Sequence, residues 1–293
     1  MKHAVLLPVA AGVTADPAWI GAYAEHAEAC GFESLVAVEH AVVASRYDSV
    51  YPYDASGKME LADDLDIPDP LDLLAYLAGR TSRIGLATGV LVLPNHHPVV
   101  LAKRLATLDA LSGGRLRLTV GMGWMREEIE ACGTDFDSRG RRADEQIEVL
   151  RALWADTAPE GASHDGEFFR FKNLMSYPKP VQPRGVPIHI GGHSKAAARR
   201  AGRHGDGLQP LGVAGVELAA LVTLMREEAE KNDRDPSALE LTLGHALAKI
   251  TPEKSEKLAG LGADRLVLSA TPTRDLNEAR DELSACAERL EIT

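Results

Sequence analysis

The chain alternates apolar runs of strand length with longer amphipathic stretches. The pattern is clearest from Thr81 to Trp124 (TSRIGLATGVLVLPNHHPVVLAKRLATLDALSGGRLRLTVGMGW). Ile84 to Leu93 is almost wholly apolar, as expected of a parallel strand covered on both faces. Pro98 to Leu111 carries Val99, Val100, Ala102, Leu105, Ala106, Leu108 and Leu111 at helical spacing, and it stops at Ser112-Gly113-Gly114, a helix terminator. Leu116 to Val120 is a second apolar strand, running into Gly121-Met122-Gly123. Glycine-rich turns at the C-terminal ends of such strands are where α/β proteins gather their sites.

The same alternation covers the whole chain. Strands are expected near His3–Val9, Ser34–Val38, Ile84–Leu93, Leu116–Val120, Pro187–Ile190, Gly207–Leu211, Glu240–Ala246 and Arg265–Ser269. Helices are expected near Pro17–Cys30, Pro70–Ala78, Pro98–Leu111, Trp124–Ala131 with Arg139–Trp154, Lys195–Arg203, Val216–Asn232, Pro252–Leu261 and Thr273–Leu290. Strand–helix units in this number match a (β/α)8 barrel, which forms one domain of about 250 residues. The expectation is therefore a single domain over residues 1–293, with a doubly wound open sheet as the alternative. Two connections are too long for simple turns. Residues 41–69, after strand 2, carry Tyr47, Tyr51 and Tyr53 and would lie over the barrel mouth as a lid. Residues 155–186, before strand 5, carry EFFRF and a proline series. They would pack outside or reach round to the mouth.

Composition narrows the class. A hydrophobic fraction of 45% supports a large core, and no apolar run approaches the ~20 residues of a membrane span. MKHAVLLPVAAG reads as a first strand rather than a signal peptide. Cys30, Cys132 and Cys286 lie far apart and without metal-ligand spacing, which points to a reducing cytoplasm. A net charge of −11 argues against a nucleic-acid partner, because phosphate contacts need a basic face.

Candidate chemistry lies at the strand ends. Glu39-His40 closes the second strand, where a histidine serves as general base or as an ordinary loop hydrogen-bonding group. Asn95-His96-His97 follows the third strand without metal-ligand spacing. Gly191-Gly192-His193-Ser194 follows the fifth strand and opens a helix. Glycines admit an anion close to the backbone, and the helix start offers unpaired N–H groups. Ser194 equally suits an N-cap, and the two roles are compatible. Gly121-Met122-Gly123 lacks a Walker lysine and is weak by itself.

Taken in order, TGVLVLP, HPVVLAKRLATLDALSGGRLRLTVGMGW, RGRRADEQIEVLRALW and PKPVQPRGVPIHIGGHSKAAARRAGRHGDGLQP resemble the bacterial-luciferase-like superfamily. More narrowly, they are similar to its branch that uses the deazaflavin coenzyme F420. The resemblance runs through residues 3–211 and more loosely beyond. It implies a (β/α)8 barrel holding a deazaflavin or flavin ring at its C-terminal mouth. Residues matching Gly123-Trp124 and Gly191-Gly192-His193-Ser194 would run along the phosphate-bearing tail. Thr88-Gly89-Val90 would bulge behind the ring, with a non-proline cis peptide, for which Gly89–Val90 is the candidate. His40 would sit near the reactive carbon. The family's sugar-phosphate dehydrogenases have an acidic residue after the fourth-strand glycine, where this chain has Trp124. Their acid–base pair and substrate therefore do not carry over.

The resulting expectation is hydride transfer between F420 and a small organic substrate. The alternatives are a luciferase-like monooxygenase using FMN and a non-catalytic flavin- or deazaflavin-binding protein. The family likeness also implies a homodimer through the helices at 70–80 and 98–111; Leu71, Leu73, Leu74, Tyr76 and Leu77 nearly encircle the first, which fits either such an interface or deep burial within one chain.

Overall fold

A computed structural model describes residues 1–292. Its parallel strands are β1 (Lys2–Leu6), β2 (Ser34–Ala37), β3 (Gly85–Thr88), β4 (Leu91–Val92), β5 (Leu116–Gly121), β8 (Ile188–Gly191), β9 (Gly207–Gln209), β10 (Glu240–Ala246) and β11 (Arg265–Ser269). The hydrogen-bonded order β3-β2-β1-β11-β10-β9-β8-β5-β4, with β3 also paired to β5, closes the sheet on itself. Because β3 and β4 are two pieces of one arm, the result is a closed barrel of eight parallel arms. The open-sheet alternative is thereby excluded.

Helices surround the barrel: α1 (Pro17–Ala29), α2 (Pro70–Arg80), α3 (Pro98–Ser112), α4 (Arg126–Ala131), α5 (Arg139–Trp154), α6 (Lys195–His204), α7 (Gly215–Glu230), α8 (Pro252–Gly260) and α9 (Leu276–Leu290). Several start where a short polar side chain takes up the first free amides. Asp16, Asp69, Thr251 and Asp275 all cap in this way. The strands' outer faces and these helices share one continuous core. Inside the barrel Ala4, Val36, Ala87 and Val267 form a separate small layer.

The barrel floor is polar. Arg265 pairs with Glu33 at 2.9 Å and with Glu240 at 2.7 Å, and Arg117 reaches Glu33 at 3.2 Å. His189 lies 3.6 Å from Glu240, but burial, reinforced by Arg117, pushes the imidazole down to about 3. It is therefore neutral at physiological pH.

Two expectations need correction, and the alternative left open for residues 155–186 is resolved. The apolar run Ile84–Leu93 is not one strand; it breaks at Gly89–Val90, a cis peptide. The 155–186 connection contains an antiparallel hairpin, β6 (Ala162–Asp165) and β7 (Arg170–Leu174). It packs outside the barrel, where Glu145 of α5 accepts from the amides of Phe168 and Phe169, and Asp109 of α3 accepts from that of Val181. Finally, α4 begins at Arg126 rather than Trp124, and α9 at Leu276 rather than Thr273, each preceded by an extended capping residue.

Candidate active site

The third arm supplies the centre of the mouth. Thr88 is fully buried, and its hydroxyl donates to Thr119 O at 2.8 Å while accepting from Thr119 N at 3.0 Å. A side chain thus replaces main-chain pairing where β3 leaves the sheet. After the cis Gly89–Val90 bond, the Val90 side chain turns against the ends of β5 and β8. A Cβ on Gly121 would lie 2.6 Å from Val90 Cγ2, and one on Gly191 would overlap Val90 Cγ1. Both glycines are therefore needed for the close approach of the bulge.

Glu39 holds this bulge from below the mouth. Its carboxylate accepts from Val92 N and pairs with His96 Nε2 at 2.6 Å. The Asn95-His96-His97 run thereby separates into distinct roles. His96 is a structural partner, His97 packs edge-on against Phe169 of the hairpin at 5.6 Å, and both amide atoms of Asn95 are buried without a hydrogen-bond partner.

His40, just past β2, faces a partner 88 positions along the chain. Its Nδ1 lies 3.0 Å from Glu128 Oε2, and Glu128 Oε1 accepts from Ala41 N at 2.6 Å. Glu128 is 1% exposed and fixed by both bonds. Since a carboxylate only accepts, this contact puts the imidazole proton on Nδ1 and leaves Nε2 as the ring's available nitrogen. Among the described residues Nε2 has no hydrogen-bond partner.

Next to this pair stands an aromatic group. Trp124 meets His40 edge-on at 6.3 Å, Tyr47 at 5.4 Å and Tyr51 at 5.1 Å. Tyr51 in turn packs on Tyr53 at 5.4 Å, and Tyr53 on His193 at 5.2 Å. The 41–69 connection therefore does lie over the mouth. Glu127 holds it there, accepting from Asp48 N at 2.8 Å and from Ser49 Oγ at 2.7 Å. The Ser49 hydroxyl bond, together with these amides, holds the Glu127 carboxyl near 2.

The other flank of the mouth is the start of α6. Ser194 caps the helix, its Oγ accepting from Ala197 N at 3.1 Å. Gly192 has φ +123, a backbone conformation that L side chains rarely adopt. Its N–H donates to Gln209 O at 3.2 Å and so is not open to an anion. The amides of His193, Lys195 and Ala196 remain, with the buried and unpartnered His193 Nδ1 beside them. Arg139, at the start of α5, donates to Gly123 O at 3.4 Å and to Phe136 O at 2.7 Å, and its guanidinium has no carboxylate partner among the described residues. Of these site groups, Glu128 and Arg139 escaped the sequence reading. Glu128 lies in REEIEA, which reads as a solvated helix face, and only the fold carries it to His40.

The model of the luciferase-like monooxygenases matches residues 1–292. The chain belongs to that family. An uncharacterized protein of Mycobacterium tuberculosis is 36% identical over 211 residues, 71% of each chain. An F420-dependent glucose-6-phosphate dehydrogenase of Segniliparus rotundus is 30% identical over 246 residues, covering 80% of this chain and 67% of that one. Among solved structures, the monooxygenase RslO1 of Streptomyces bottropensis superposes with a TM-score of 0.79 at 22% identity, covering 99% of both chains. The family thus contains both oxidoreductases that use F420 and monooxygenases.

Proposed function

We propose that this chain is an F420-dependent oxidoreductase acting on a small organic substrate, with His40 carrying the proton. The observation that supports this reading most is the His40–Glu128 pair, a general acid–base held in one tautomer beside the bulge. The site fits the coenzyme in two further respects. Val90 and the two glycine backbones against it form a smooth apolar shelf suited to a flat ring. The free amides at the start of α6, with Arg139, suit a phosphate-bearing tail. F420, when bound, supplies a two-electron hydride chemistry that the side chains lack.

The residues of this chain then have defined tasks. Thr88 and Glu39 fix the bulge, and Val90 fixes one face of the ring position. Glu128 orients His40, whose Nε2 takes or returns the substrate proton. Trp124 and the tyrosine loop restrict water at the mouth. Titration of the apoprotein with F420 and with FMN tests the reading. Binding of F420 at least ten-fold tighter than FMN is expected. Preference for FMN makes the chain a monooxygenase fed by a separate reductase, and binding of either cofactor without turnover of any substrate makes it a carrier.

A further inference from the structure

The two flanks of the mouth differ in chemistry, and that difference bears on the substrate. At the start of α6 and α5 the features are free amides and the Arg139 guanidinium, which favour anions. Beside His40 the features are rings. Tyr47 and Tyr51 both pack edge-on against Trp124, and Tyr53 carries the series on to His193. The charges on this side are mostly carboxylates. Glu127 and Glu128 anchor the loop and the histidine. Burial, and then Asp54 and Glu60 of the same loop, push the Tyr51 phenol up. Arg126 is committed to Glu130 at 2.9 Å and Asp137 at 2.8 Å. Lys58 lies over the face of Tyr47, 4.7 Å from its centroid, as a cation resting on a ring.

We infer that Trp124, Tyr47 and Tyr51 form the wall of the substrate compartment beside His40, and that this wall selects an uncharged substrate with an apolar face over a phosphorylated sugar. The inference rests on the proposed oxidoreductase reading and specifies its substrate class. An apolar ring or branched chain laid on Trp124 is removed from water and gains edge and face contacts. A phosphate in the same place would lose hydration, while the nearest cations are already engaged: Lys58 on the Tyr47 face, Arg126 in its two ion pairs and Arg139 on the Gly123 and Phe136 carbonyls. The relatives that act on glucose 6-phosphate share the family with this chain, but a shared family does not fix the substrate.

Binding can be measured without turnover. F420-loaded protein is titrated with cyclohexanone, acetophenone, menthone and glucose 6-phosphate, and saturation-transfer NMR reports which ligand protons touch the protein. At least one of the uncharged probes should saturate, with its contacts on the ring or alkyl face, while glucose 6-phosphate should bind at least ten-fold more weakly. Trp124→Ala and Tyr51→Ala should each weaken the bound probe about three- to ten-fold, with circular dichroism unchanged as a check on folding. The inference is overturned if glucose 6-phosphate binds as tightly as the best uncharged probe. It is equally overturned if none of the uncharged probes saturates, or if both variants leave probe affinity unaltered. Loss of the deazaflavin absorbance is read separately. A probe that binds through Trp124 but never exchanges a hydride leaves the wall assignment standing and counts against the oxidoreductase reading.

Discussion

Val90 and Gly191 share one space: Cγ1 of the valine lies where a Cβ on the glycine would have to be. Gly191 is thus glycine because the neighbouring arm bulges into it, as well as because it precedes a helix start. Gly191→Ala should push Val90 off its position, costing about 1–3 kcal/mol as an overpacked core site, and should weaken cofactor binding in step. Denaturant unfolding and cofactor titration on the same variant check this. Normal stability with lost affinity would show that Gly191 acts on the ligand alone.

Gly192 gives a contrasting expectation. Its φ of +123 is inaccessible to valine without shifting the chain, and Ala197 Cβ lies 3.3 Å from an added Cβ. Gly192→Val should therefore reorient the amides that follow and weaken cofactor binding strongly, while the barrel remains folded. A dissociation constant equal to that of the parent removes this turn from the tail site.

For His40 the expectation is kinetic. His40→Ala should lower turnover by about 10²–10⁴-fold, the range for a lost general acid–base, with little change in cofactor affinity. Glu128→Gln keeps the shape but presents an amide N–H to the imidazole, so the proton should move from Nδ1 to Nε2. Nitrogen-15 shifts of the His40 ring read that tautomer directly. An unchanged ring spectrum, or a normal hydride-transfer rate in His40→Ala, defeats the assignment.

The barrel floor makes stability depend on acid. His189 has an ordinary value of 6.5 and is pushed down to about 3 when folded. Its folded value is depressed, so its contribution is fully present above 6.5 and is lost as pH falls through that window towards 3. Glu240, lowered to about 2 chiefly by its bonds to Lys2 and Arg265 against the opposing effect of burial, adds loss from about 4.5 downwards. The thermal midpoint should fall steadily between pH 6.5 and 3. In His189→Gln the upper part of that decline should flatten, and calorimetry at stepped pH values would show an unchanged slope if the histidine were unimportant.

The dimer expectation shifts in place. Leu71, Leu73, Leu74 and Leu77 of α2 are buried within the chain, and Tyr76 donates to Pro17 O at 2.7 Å. The encircling apolarity of this helix is therefore mostly spent on its own barrel. Val100 and Leu111 of α3 remain exposed, at 60% and 77%. We expect a dimer at micromolar concentration that Val100→Glu converts to monomer, as read by sedimentation. A parent protein that sediments as a monomer excludes a stable pair.

The barrel was legible because its signals are local. Runs such as Leu116–Gly121 and Arg265–Ser269 are long enough, and apolar enough, to be strands covered on both faces. The break at Gly89–Val90 was not visible in periodicity, since it depends on Val36, Gly121 and Gly191 lying around it in space. It was anticipated only through family likeness. The β6–β7 hairpin escaped because its strands, ASHD and RFKNL, are mostly exposed and so lack an apolar face. His40 could be singled out at a strand end, whereas its partner Glu128 could not, because nothing in a charged helix tells which carboxylate turns inward.

The closed floor has a consequence for the order of events. With Glu33, Arg117, Arg265 and Glu240 bonded across the base, traffic is confined to the end where the tyrosine loop lies. On the proposed reading, two guests would share that one doorway. The one seated deeper, against Val90, would come first and leave last, and the one resting on Trp124 would come and go above it. Turnover would then be an ordered exchange, with the outer guest replaced before the inner one departs.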